Sequence, residues 1–85
     1  MQLQHEVEGR LGDLMLNERG FVFDPNTGES YQLSASGLMV LRELQRGGGV
    51  AGVESLMLAE YEVDRLRMRA DLDAFLWELQ QLGWL

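Results

Sequence analysis

The chain is predicted to be an α+β protein, three short antiparallel strands followed by three helices. Three observations carry that prediction. Apolar residues alternate between residues 12 and 33, with two reversal signals among them. After Leu33 the apolar period changes to helical spacing and continues through three segments to Leu82. The length of 85 residues allows one modest core and therefore one domain.

The first ten residues show no sustained pattern, so the chain divides into an arm over residues 1–11 and a single domain over residues 12–85. In the first strand Leu14 and Leu16 alternate with Asp13, Met15 and Asn17, and Glu18-Arg19-Gly20 makes the first reversal. In the second strand Phe21 and Phe23 flank Val22. Asp24-Pro25-Asn26-Thr27-Gly28 is the second reversal: proline presets its own φ, Asp and Asn bond nearby backbone, and glycine tolerates positive φ. The return strand, Glu29 to Leu33, sets Tyr31 and Leu33 against Ser30 and Gln32.

Ser34 is the expected N-cap of the first helix, with Leu33 and Leu38 as a hydrophobic staple and Leu38, Leu41 and Leu44 facing the core. Arg46 and the glycines at 47–49 end it, a connector with no phosphate-cradling pattern around it. A short second helix from about Ala51 to Tyr61 is expected to bury Val53, Leu56, Met57 and Tyr61, with Gly52 weakening its start. Asp64 caps the third and longest helix, which Gly83 stops.

Advanced by roughly 100° per residue, Met68, Leu72, Phe75, Leu76, Leu79 and Leu82 gather on one face of the third helix as its core stripe. A second, weaker strip holds Leu66, Ala70, Ala74 and Trp77, bordered by Arg69 and Asp73 on one side and Arg67 on the other. Such a strip either covers the rest of the domain or receives a visiting chain, and the arginines at 65, 67 and 69 are either a solvated face or partners for acidic groups. A three-stranded sheet also has edges, and an uncovered edge is a template for one more strand. Four or five ladder bonds at about 0.5 to 1.5 kcal/mol net each, opposed by the cost of ordering a peptide, place such binding near micromolar.

Composition narrows the function. There is no cysteine, and the one histidine, His5, lies in the arm, so neither thiolate chemistry nor the usual nucleophile, base and orienter can be assembled. No catalytic residue, metal ligand or cofactor is expected; Asp71 and Glu78 share a helix face but read as a solvated edge. The net charge of −7 opposes nucleic-acid binding, and the second helix carries Glu54 and Glu60 but no cation for a DNA groove. With no apolar run near the ~20 residues that span a bilayer and no basic-then-apolar N-terminus, a cytoplasmic address without membrane association is expected.

The run GFVFDPNTGESYQLSASGLMVLRELQRGG, then LMLAEYEVD and ADLDAFLWELQQLGWL, resembles PqqD-like proteins, the recognition elements of pathways that modify ribosomally made peptides. The similarity covers roughly residues 12 to 85, and the GFxFDPxTGxSY opening resembles stand-alone members associated with an HPr-kinase-related protein. The resemblance implies a winged helix-turn-helix-like fold (βββααα) and a non-enzymatic peptide chaperone. Such a chaperone takes the leader of a precursor peptide beside its third strand and presents it to a separate modifying enzyme. The implied peptide-binding residues are Glu29, Ser30, Tyr31, Gln32 and Leu33 on the strand, with Leu66, Arg69, Ala70, Asp73, Ala74 and Trp77 on the third helix. The sequence departs from the family's usual pattern at Ser34, Ser36 and Gly52. Alternatives are an adaptor that contacts only a protein such as the HPr-kinase-related partner, and a DNA-binding winged helix; the expected state is a monomer or weak homodimer.

Overall fold

The computed structural model describes residues 9–85, so His5 lies outside the described residues. A single 3-10 turn, Leu11–Asp13, leads into the strands β1 (Met15–Leu16), β2 (Phe21–Asp24) and β3 (Glu29–Gln32), followed by the helices α1 (Ala35–Gln45), α2 (Gly49–Glu60) and α3 (Arg65–Gln81). The strands form one antiparallel sheet in the order β1-β2-β3. The predicted α+β order of three strands and three helices is the observed one.

Register decides which face of each strand is buried. Met15 pairs with Phe23, Phe21 with Gln32 and Phe23 with Ser30, so these five share the outward face. Leu14, Val22 and Asp24 are buried on the other face, whereas Met15, Phe21 and Phe23 are exposed. The β2–β3 reversal forms as its residues dictate: Asp24 accepts from the amide of Asn26 at 2.9 Å, and Gly28 adopts a φ of 80°. At the β1–β2 reversal Gly20 is required by space as well as by its φ of 92°, because an added Cβ would lie 2.5 Å from the carbonyl oxygen of Leu33.

The helices start where their caps place them. Ser34 Oγ accepts from the Gly37 amide at 3.1 Å, and Asp64 Oδ2 from the Arg67 amide at 3.2 Å. α2 begins at Gly49 rather than Ala51, because only Gly47 and Gly48 are spent on the connection. The carboxylate of the buried Glu43 lies against this first turn: a Cβ on Gly52 would come within 2.7 Å of Glu43 Oε2, so the glycine that weakens the helix makes room for that side chain. It also puts a negative charge at the helix N-terminus, where the macrodipole favours one. Tyr61, expected to be buried, is exposed, because the helix ends at Glu60 and Tyr61 turns to extended backbone with a φ of −130°.

Among the described residues two clusters make up the core. One joins sheet, α1 and α3 through Leu14, Val22, Leu41, Leu79 and Trp84; the other joins the three helices through Val40, Val53 and Leu72. α1 serves both, because Val40 and Leu41 point to different neighbours. The α3 core stripe is the predicted one, with Met68, Leu72 and Leu79 buried and Phe75, Leu76 and Leu82 packed beside them.

Candidate functional site

Among the described residues β3 is bonded to β2 alone and forms one edge of the sheet. In an antiparallel pair, alternate residues direct both backbone groups to the neighbour and the residues between direct theirs away. The amide of Leu33 donates to the carbonyl of Gly20 at 2.8 Å, and the carbonyl of Phe21 accepts from Asn17 on the β1 side at 3.1 Å. Those bonds set the parity: Glu29, Tyr31 and Leu33 bond toward β2, while the N–H and C=O of Ser30 and Gln32 point away from the sheet. The exposed edge therefore offers two donors and two acceptors.

Where β3 ends, a cavity of about 570 Å³ begins, between the start of α1 and the first half of α3. Leu33, Val40, Met57, Met68, Leu72 and Phe75 supply its apolar lining, and Ser34, Ser36, Glu62, Asp64, Arg67 and Asp71 its polar groups. Gly37 helps to keep the space open: a Cβ there would stand 3.5 Å from Leu33 Cβ and 3.7 Å from Phe75 Cζ, so a larger side chain would project among these groups. A volume of this size and character suits an apolar side chain with a few orienting polar contacts.

Of the residues expected from the sequence to hold a peptide, Leu33 lines this cavity and Glu29 to Gln32 form the adjoining edge strand. The α3 residues lie elsewhere. Leu66 and Trp77 are 80% and 60% exposed, Ala70 and Ala74 are also exposed, and all four sit on the side of α3 opposite the core stripe. Arg69 reaches Glu54 of α2 at 2.6 Å and Asp73 at 3.3 Å, which holds these charges on the α2 flank. The hydrogen bond to Asp73, then the charge of Glu54, raise the Arg69 pKa further above its ordinary value. The α3 wall of the cavity is made instead by Arg67, Met68, Asp71, Leu72 and Phe75. Phe75, Met68 and Leu72 were legible as core stripe, but nothing in helical spacing says where that stripe stops being covered.

A second unforeseen group anchors the hairpin behind the edge strand. Asp24, readable as a turn residue, is 1% exposed and receives Arg10 Nη2 and Trp84 Nε1, each at 2.9 Å. The Arg10 hydrogen bond is the chief reason its pKa falls from 3.8 to about 2; burial opposes the shift, and Trp84 and the Asn26 amide add to it. Trp84 in turn meets Tyr31 of β3 edge to face, with ring centroids 5.1 Å apart. The inward side of β3 is thereby held while its outer edge stays open.

Among the described residues there is no grouping of His, Cys, Asp and Glu that could hold a metal ion, and no helix is long and apolar enough to cross a membrane.

A three-stranded sheet with an open edge strand beside an apolar cavity, backed by three helices, defines a small docking domain. The family model described as coenzyme PQQ synthesis protein D (PqqD) matches residues 19–85, and the chain belongs to that family. PqqD proteins are the recognition elements of ribosomally synthesised and modified peptide pathways, peptide-binding chaperones that do no catalysis themselves. No curated protein and no solved structure matches the chain.

Proposed function

We propose that this protein captures the leader of a ribosomally made precursor peptide as a fourth strand along β3 and presents it to a separate modifying enzyme. The observation that carries this reading is the outward backbone of Ser30 and Gln32 beside the cavity lined by Leu33 and Phe75. An added strand turns alternate side chains to opposite faces of the sheet. One set enters the cavity. The other lies along the outward face that holds Phe21 and Phe23. Main-chain pairing gives affinity with little sequence demand, and the cavity selects a bulky apolar residue. Glu62, Asp64 and Asp71 outnumber Arg67 around the cavity, so a basic residue next to the apolar one is favoured.

The test is an amide NMR titration with the N-terminal segment of a short open reading frame encoded beside the gene. Shifts concentrated on Glu29 to Leu33, Gly37 and Arg67 to Phe75 are expected. Shifts appearing only when the neighbouring enzyme is added would make the chain a protein-only adaptor and remove the peptide-capture reading.

A further inference from the structure

We propose that the outward strip of α3 is a self-association surface, on which two copies pack α3 against α3 in antiparallel fashion about a two-fold axis. Leu66 and Trp77 are the two exposed large apolar side chains of α3. Between them on the same side are Ala70 and Ala74, both exposed and small enough to let two helix backbones approach closely. The strip is self-complementary in its order. An antiparallel pair centred near Leu72 places Leu66 against the partner's Trp77 and Ala70 against the partner's Ala74, and the two-fold repeats each contact.

The charges along the same helix agree with that register. The arginines Arg65, Arg67 and Arg69 lie in the first turns of α3, Asp71 and Asp73 near its middle and Glu78 in its last turn. In an antiparallel two-fold pair, each flank of the helix meets the same flank of its copy. Arg67 and Glu78 lie on one flank and face each other across the axis, while on the other flank Arg69 is paired within the chain to Glu54 and Asp73. Neither Arg67 nor Glu78 has an ion-pair partner among the described residues, so both are available to the copy. A parallel pair would set arginine against arginine. This association uses the side of α3 opposite its core stripe, shares Arg67 with the rim of the cavity and does not rest on the peptide-docking reading.

Sedimentation velocity over a concentration series up to millimolar, with the emission of Trp77 as a second readout, tests the proposal. The expected result is a monomer–dimer equilibrium with a blue shift of the exposed indole on association. Arg67→Glu and Glu78→Arg should each weaken the dimer on the order of tenfold, since each change enters the interface twice, and the double variant should restore it. Leu66→Asp should abolish dimerisation, and all variants should keep the far-UV circular dichroism of the parent because these side chains are exposed. A wild-type protein that stays monomeric to millimolar concentration would overturn the proposal, as would a dimer indifferent to the charge reversals and to Leu66→Asp.

Discussion

Proline on the free edge of β3 separates peptide capture from folding. Ser30 and Gln32 direct their amides away from β2, so Ser30→Pro and Gln32→Pro delete donors that no bond of the sheet uses, and edge strands tolerate proline on their open side. One ladder bond is worth about 0.5 to 1.5 kcal/mol net, so each variant should weaken leader binding by about 2- to 12-fold on the scale of 1.4 kcal/mol per factor of ten. The two losses together amount to about 1 to 3 kcal/mol, or about 5- to 150-fold. The ring also occupies the space into which the leader's carbonyl would come, which moves the result toward the upper end. Tyr31→Pro is the contrast, because its amide bonds toward Val22 and its loss breaks the β2–β3 ladder. The assay is calorimetric titration of each variant with the leader segment, with amide spectra confirming the sheet. Affinity within twofold of the parent for the Ser30/Gln32 double variant, with native spectra, would refute strand addition along β3.

Three further outcomes follow from named contacts. Asp24 has a folded pKa of about 2 against an ordinary 3.8, so its contribution to stability is fully present above the ordinary value and is lost as pH falls through about 2. The gap in urea midpoint between wild type and Asp24→Asn should therefore be constant near neutrality and close on acidification through that window. Gly48→Ala should destabilise by about 1 to 3 kcal/mol through overpacking, because the added methyl meets the side chain of Glu43; a double-mutant cycle with Glu43→Ala should recover part of the loss. Ser34→Ala should cost about 1 kcal/mol in thermal or chemical unfolding by removing the cap that accepts from Gly37.

Local chemistry was legible where one residue type answers one local demand. Ser34 and Asp64 accept from the first amides of their helices, and Asp24 through Gly28 turn the chain, because those bonds span two to four residues. The α3 core stripe was legible for the same reason, since a single helix has only one side to bury first. Tyr61 was misplaced because periodicity continues past the point at which the backbone leaves the helix.

The rest depended on how the elements meet. In β2 all of Phe21, Val22 and Phe23 are apolar, so alternation alone assigns no inward face; pairing with Met15, Ser30 and Gln32 sends both phenylalanines outward and buries Val22. The union of Arg10, Asp24 and Trp84 spans most of the chain and has no spacing to announce it. Helical spacing likewise presented Leu66, Ala70, Ala74 and Trp77 as a second strip but carried no information on what lies opposite. Three strands, three helices, the caps of α1 and α3 and the core stripe of α3 are written in the chain, because those follow from bonds and periodicities within one element. The tertiary structure decided that the cavity beside β3 takes its α3 wall from Arg67, Asp71 and Phe75 and leaves Leu66 and Trp77 to solvent, because a cleft is a property of the distance and rotation between elements.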